Sequence, residues 1–138
     1  MKPRDDKTLE ELEGERWPPP EVETSLAQTV HRLRRVPVSQ FGPDDLRIMI
    51  GQGVGLPHLV PKALALLDRD PFLEADYYPG DLLMTVFQVH DAFWQPVPDL
   101  RRRAVTVLNT ALDRVDQLDI GDRQNLWPQL VSARARFA

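Results

Sequence analysis

The chain has 138 residues, enough for one domain with a sizeable core, and its 42% hydrophobic and 28% charged residues are typical of soluble globular proteins. It has no apolar run of roughly 20 residues, which excludes a membrane-spanning helix, and its N-terminal segment predicts no secretory signal. Absence of cysteine excludes disulfides and fits a reducing cytoplasm, where we expect the protein, and the net charge of −4 argues against direct nucleic-acid binding.

The first predicted helix begins at a capping box. Thr8 and Glu11 have the T-x-x-E spacing in which each side chain bonds the backbone N–H of the other residue. Three consecutive prolines within residues 17–20 then end the helix, because proline cannot continue it. We expect residues 1–7, which precede the capping box, to be flexible.

Two further helices are predicted before residue 52. Ser25 and Gln28 form a second apparent capping box, and the helix that they begin stops before Pro37, since the residue preceding a proline disfavours helical geometry. Pro43 then fits the first position of the next helix, and the two aspartates that follow it face the positive end of the helix dipole.

A cluster of three glycines in residues 51–55 breaks that helix, and positive φ angles are expected there. The next helix is predicted to open near Pro57 and to end at about Asp70, with a broad apolar face. Residues 76–81 read as a turn, and a further apolar helix follows them.

The C-terminal third predicts a loop, a long helix, a linker and a last helix. Residues 91–98 are punctuated by proline and are interpreted as the loop. Apolar residues recur every three or four positions over residues 100–118, which indicates about five turns of helix. Residues 119–124 are interpreted as the linker, and the last helix is placed near Asn125 so that Pro128 falls in its first turn.

No sustained alternation with a period of two predicts strands. The expected fold is therefore all-α, a compact single-domain bundle of five to seven helices over residues 1–138, with short loops punctuated by proline and glycine. Residues 91–138 are expected to form a C-terminal helical pair within this domain.

Sites for catalysis, cofactors and metals are not apparent. The glycine cluster at residues 51–55 lacks both the preceding strand and the Lys-Ser/Thr pair of a phosphate-binding loop. The histidines are too far apart in sequence to form a metal-binding motif, and no serine lies in a nucleophile elbow. We therefore predict no enzyme, no cofactor and no bound metal. The histidines are His31, His58 and His90.

Nucleic-acid binding was considered because arginines cluster at Arg32, Arg34 and Arg35 and again at residues 101–103. No aromatic residues are interleaved with them and no known reader motif is present. We expect these arginines to lie on exposed helix faces and to pair with nearby acids.

Five acids lie close together between residues 68 and 81, within one of two acidic blocks that alternate with basic ones. With three aromatic residues they form a candidate surface for a basic protein partner, because tyrosine is frequent in interface hot spots and carboxylates attract opposite charge. The alternative is structural, with the acids capping helices and Phe72 and Tyr78 packed inward. A calcium loop does not fit, because its central glycine is missing. The candidate residues are Asp68, Asp70, Phe72, Glu74, Asp76, Tyr77, Tyr78 and Asp81.

Four blocks of the sequence resemble, in their residues and in their order and spacing, blocks that are typical of a known family. They are TLEELEGERW at residues 8–17, SLAQTVHRLRRVPV at 25–38, PDDLRIMIGQGVGLPHLVPKAL at 43–64 and LLDRDPFLEADYYPGDLL at 66–83. Together they resemble the contact-dependent growth inhibition system immunity protein family over residues 8–90. Residues 91–138 lie outside this resemblance, and the helices predicted there rest on periodicity alone.

The resemblance implies a protein that binds and neutralises the toxic C-terminal domain of a cognate toxin in the cytoplasm of the producing cell. It implies no catalytic residues. We expect neutralisation by stoichiometric occlusion, and a nuclease toxin would fit the acidic charge of the chain. The alternative hypothesis is a helical cytoplasmic adaptor or regulator with a non-toxin partner, and an enzyme with an unrecognised carboxylate site is a third.

Overall fold

The structure, a computed structural model, describes residues 3–137 and contains eight α-helices, three short 3-10 helices and no strand within that range. This confirms the all-α prediction, with one helix more than the upper end of the predicted five to seven. The α-helices are α1 (Leu9–Glu13), α2 (Ser25–Leu33), α3 (Pro43–Gly51), α4 (Leu56–Arg69), α5 (Asp81–Phe87), α6 (Asp91–Trp94), α7 (Pro98–Arg114) and α8 (Ile120–Arg136). The 3-10 helices are Arg4–Asp6, Val38–Gln40 and Val115–Gln117.

Of the N-terminal stretch predicted to be flexible, residues 1 and 2 lie outside the described residues, and Arg4–Asp6 form the first 3-10 helix. Among residues 3–137, no helix is long and apolar enough to cross a membrane.

Helix α4 is central to the packing, because it contacts α3, α5 and α7. Its buried side chains recur at intervals of three or four residues and so occupy one face of the helix. Helix α5 is buried on nearly every side, and α7 and α8 pack against each other to complete the core. The buried side chains of α4 are Leu56, Leu59, Val60, Ala63, Leu64 and Leu67.

Arg34, at the end of α2, anchors the N-terminal segment. Its side chain is fully buried and forms an ion pair with Glu13, and its guanidinium donates to the carbonyl oxygen of Glu15 at 2.8 Å. The same guanidinium lies 4.1 Å from the centre of the Trp17 ring. The prediction that Arg34 lies on an exposed helix face is therefore wrong, because an arginine can be buried when its charge and donors find partners.

The turn between α3 and α4 requires glycine. Gly53 and Gly55 have φ angles of +71° and +67°, which confirms the prediction of positive φ in this cluster. At Gly55 a Cβ atom would lie 2.8 Å from the methyl carbons of Leu9, so the buried leucine of α1 packs directly on this turn.

The predicted cap of α2 is displaced by one residue. Thr24, not Ser25, is the N-cap, and its hydroxyl oxygen accepts a hydrogen bond from the N–H of Ala27 at 3.1 Å. Both residues have a hydroxyl group suited to capping, so the sequence pattern could not separate them. The capping box of Thr8 and Glu11 is confirmed, with both of its hydrogen bonds present.

Two predicted irregular segments are helical. Within the predicted loop at residues 91–98, α6 forms because Trp94 is buried and its ring packs edge-to-face with Phe93 and Phe137. The predicted linker at residues 119–124 is the first part of α8.

Helix α8 continues through Pro128, which is in its interior and not in its first turn. Such a proline costs about 3 kcal/mol. Leu126 and Leu130 on either side of it are fully buried, and each contributes roughly 1.5–3 kcal/mol, which offsets that cost.

Candidate protein-binding surface

The segment between α4 and α5 is organised by one carboxylate, that of Asp81 at the start of α5. Asp81 is only 3% exposed, and its oxygens accept hydrogen bonds from the backbone N–H groups of Ala75, Asp76 and Tyr77 at 2.7, 2.9 and 2.8 Å. Three successive residues of the loop are therefore held by a single buried side chain.

The pKa of Asp81 reflects this arrangement. Burial by itself would raise the pKa, but the backbone N–H donors of Ala75, Asp76, Tyr77 and Leu82 outweigh burial, so the pKa lies below its usual range. Asp81 is therefore ionised at neutral pH, and its negative charge is stabilised by the backbone N–H groups of the loop.

Arg47 of α3 holds the other side of the loop. Its guanidinium forms an ion pair with Asp76 and lies 4.8 Å from the centre of the Tyr77 ring. Burial by itself would lower the pKa of Arg47, but the hydrogen bond to Asp76 and the negative charges of Asp76 and Asp81 together outweigh burial and raise the pKa. Tyr77 stays 73% exposed in this position, so one side of its ring faces solvent while the Arg47 guanidinium lies against the other.

The first part of the segment is held by an ion pair with α7 and by a hydrogen bond within the segment. Asp68 pairs with Arg103 at 2.9 Å, and both side chains are about half exposed. The Oδ1 atom of Asp70 accepts a hydrogen bond from the N–H of Phe72 at 3.0 Å. This bond fixes the turn that follows α4.

The eight candidate residues divide into an exposed and a supporting set. Phe72 and Tyr78 are half-buried against the core, where the Tyr78 hydroxyl donates to Oε1 of Gln129 at 3.0 Å, and Asp81 is buried. The others are exposed and lie between positions 68 and 77, and we name them the acidic face: Asp68, Asp70, Glu74, Asp76 and Tyr77.

The family of the chain follows from a comparison with known protein families. The model of a family described as CDI immunity proteins, those of contact-dependent growth inhibition, matches residues 11–104. The chain belongs to the CDI immunity protein family. No curated protein and no solved structure matches the chain.

The match of this CDI immunity protein to its family includes the whole acidic face and ends within α7. The family resemblance inferred from the sequence blocks at residues 8–83 is thereby confirmed. Membership supports an immunity role against a CDI toxin, and hence a cognate toxin as partner. Helix α8 lies outside the matched residues.

Two features of the structure are not apparent in the sequence. Arg47 and Arg103, which pair with the acidic face, lie 29 and 35 positions from their partners, and no local pattern connects residues at that separation. An exposed apolar stripe on α8 was also missed, because its start was read as a linker. It consists of Ile120, Trp127 and Val131, which are 64%, 48% and 43% exposed.

The acidic face offers no arrangement suited to holding a metal. Among residues 3–137, no group of three or more histidine or carboxylate side chains could hold an ion. Asp81 already accepts several backbone hydrogen bonds, and Asp76 and Asp68 are paired with arginines. The side chain of Tyr77 and the carboxylates of the acidic face are the parts of this segment that are open to solvent.

Proposed function

We propose that this immunity protein neutralises its cognate toxin stoichiometrically, in the cytoplasm of the producing cell. In this proposal the acidic face covers the toxin's active site or its substrate-binding surface, and no catalysis by the immunity protein is involved. The observation that carries the proposal is the exposure of Tyr77 among carboxylates on a loop whose backbone is fixed from below by Asp81.

Fixed geometry favours tight binding. A loop that is already ordered loses little conformational entropy when a partner docks, so more of the contact energy appears as affinity. Three backbone hydrogen bonds accepted by Asp81 and the ion pair of Arg47 with Asp76 supply that order. Tyr77 adds a large, stiff contact surface of the kind enriched in interface hot spots.

The chemistry of the face favours a toxin with a basic surface. Carboxylates accelerate the association of a positively charged partner and disfavour acidic ones. Enzymes that act on nucleic acids need cationic surfaces to attract phosphate groups, so a nuclease toxin is the class that fits best. Covering that surface with carboxylates would exclude the nucleic acid from it.

The test compares two triple variants of the full chain against the purified cognate toxin domain. The first changes Asp70 and Asp76 to Asn and Glu74 to Gln. The matched control removes the same charge elsewhere, by changing three other exposed acids to Asn. These control residues are Asp113, Asp116 and Asp119.

We expect the acidic-face variant to slow association by about tenfold or more at low salt and the control by less than about threefold, since steering depends on charge next to the contact. A further variant, Tyr77→Ala, should accelerate dissociation with little effect on association. Equal effects of the two triple variants, with circular dichroism unchanged, would place the interface elsewhere.

A further inference from the structure

A groove of about 710 Å³ runs along α4 and is bordered by the N-terminal 3-10 helix Arg4–Asp6. Its volume is in the range of ordinary ligand sites, roughly 300–1,000 Å³. Four basic side chains line it against one acid, Asp5, together with apolar side chains that include Pro61 and Leu66. The basic residues are Arg4, His58, Lys62 and Arg69.

The basic residues of α4 share one face of the helix. His58, Lys62 and Arg69 follow each other at intervals of four and seven residues, which places them in one row, with Leu66 between the last two. Lys62 and Arg69 make no ion pair with any residue between positions 3 and 137. Their positive charges are therefore available to a ligand.

Arg4 is held over the same groove by His58. Its Nη2 atom lies 2.8 Å from Nδ1 of His58, at hydrogen-bonding distance. Burial lowers the pKa of His58, and the charge of Arg4 lowers it further, so the ring is neutral at pH 7. A neutral ring with Nδ1 unprotonated accepts the hydrogen bond and positions the guanidinium at the end of the groove.

We propose that this basic groove binds an extended, acidic segment of a protein partner, about five residues long. From His58 to Arg69 the helix advances by about 16 Å. Five residues of extended chain cover the same length at roughly 3.3 Å each. Lys62, Arg69 and Arg4 would pair with the carboxylates of such a segment, and its apolar side chains would contact Pro61 and Leu66.

The same features disfavour nucleic acid as the occupant. Single-stranded nucleic acids bind proteins by stacking bases on exposed aromatic rings. The aromatic residue of the groove, Phe41, is only 6% exposed and offers no face for stacking. The proposal is independent of toxin binding at the acidic face, because the two surfaces use different residues.

The test selects peptides from a random hexapeptide phage library on the purified full chain. Selected peptides are then synthesised and their affinities are measured by fluorescence anisotropy. The groove variant is Lys62→Gln with Arg69→Gln, and the matched control is Arg102→Gln with Arg114→Gln, which removes two exposed arginines of α7. Nitrogen-15 NMR spectra of the peptide complexes locate the binding site.

We expect the selected peptides to contain at least two acidic residues and one apolar residue. Their affinity should fall by about tenfold or more for the groove variant and by less than about twofold for the control. Replacing the acidic residues of a peptide with their amides should weaken binding equally, and the NMR shifts should concentrate between residues 58 and 69.

Three outcomes would overturn the proposal. Selected peptides that lack acids, or that bind both variants alike, would show that the groove does not recognise carboxylates. A short single-stranded oligonucleotide that shifts the same amides, when no peptide does, would assign the groove to nucleic acid. Sedimentation showing a dimer that only the groove variant dissociates would assign it to a second copy of the chain.

Discussion

The carboxylate of Asp81 lies under the acidic face and accepts backbone hydrogen bonds at 2.7 to 2.9 Å from three consecutive residues. At this position an amide is a poor substitute, because its nitrogen is a second donor facing N–H groups that are donors themselves. The loop before α5 therefore depends on a negative charge that is almost entirely buried.

Asp81→Asn should lower the free energy of unfolding by about 2–3 kcal/mol, because hydrogen bonds to a charged acceptor are lost and buried donors are left unpaired. Urea denaturation monitored by circular dichroism measures the change. Glu74→Gln, on the exposed part of the same loop, is the control and should change stability by less than about 0.5 kcal/mol. A similar effect of both substitutions would contradict the role of Asp81.

The contribution of Asp81 should also depend on pH. Because its pKa is lower in the folded protein, the stability it adds is fully present above the pKa of the unfolded chain, near 3.9, and is lost as pH falls through the folded value. The difference in unfolding free energy between the natural chain and Asp81→Asn should stay constant from about pH 7 to 5 and shrink below about pH 4. Denaturation curves at each pH measure this difference in unfolding free energy. A difference that persists unchanged at pH 2 would refute the predicted contribution of the Asp81 charge.

Arg34 is a buried charged residue that stabilises the N-terminal segment, as Asp81 stabilises the loop before α5. Arg34→Ala should destabilise the protein by about 2–4 kcal/mol, because it removes a buried charge from Glu13, from a carbonyl oxygen and from the Trp17 ring. Hydrogen exchange of residues 9–17 should accelerate more than that of α5. Arg35→Ala is the control, since that arginine is exposed and its pair with Glu10 is long, at 3.4 Å. Uniform exchange throughout the chain would argue against a local anchor.

Among whole helices, stability comes from the apolar faces of α4, α5 and α7. Leu64, Leu83 and Leu108 are each fully buried, one on each of these helices. Replacing any one of them with Ala should cost about 2–5 kcal/mol, the lost transfer energy plus the cavity that remains. Ile120→Ala on the exposed stripe of α8 should cost less than about 0.5 kcal/mol. Calorimetry of the four variants provides the measurement, and equal melting temperatures would mean that the helical faces are assigned wrongly.

Helix positions could be predicted where a signal is local. The capping box at Thr8 and the proline at Pro43 both mark true helix starts, because each acts within one turn of the chain. Pro128 misled the prediction for α8, since the local cost of proline is offset by burial of leucines against other helices. Trp94 shows the same limit, because the short helix α6 depends on ring contacts with the C-terminal Phe137.

For the molecule as a whole, the composition of the acidic face was visible in the sequence but its architecture was not. The density of acids and tyrosines between residues 68 and 81 identified the segment. The division into exposed and supporting residues depends on contacts with α3, α7 and α8, which a linear pattern does not encode. Burial of Asp81 in particular requires knowing where the backbone of the loop turns.

The intact protein should have no enzymatic activity of its own. Purified chain is expected to cleave neither RNA, DNA nor ester substrates and to carry no metal in stoichiometric amount by elemental analysis. The reason is that Asp81 accepts backbone hydrogen bonds and that Asp76 and Asp68 are held in ion pairs. Reproducible hydrolysis that disappears in the triple variant of Asp70, Glu74 and Asp76 would overturn the binding role.

The hydrogen bonds that Asp81 accepts are donated by backbone N–H groups, which every residue except proline possesses. These three hydrogen bonds therefore do not depend on the identity of the side chains at positions 75, 76 and 77. Substitutions at the exposed position 77 can alter charge, size and aromaticity while the three hydrogen bonds stay in place. Under the proposed function, single substitutions in this loop could adjust the contact with a toxin that has itself changed, while the immunity protein stays folded at each step.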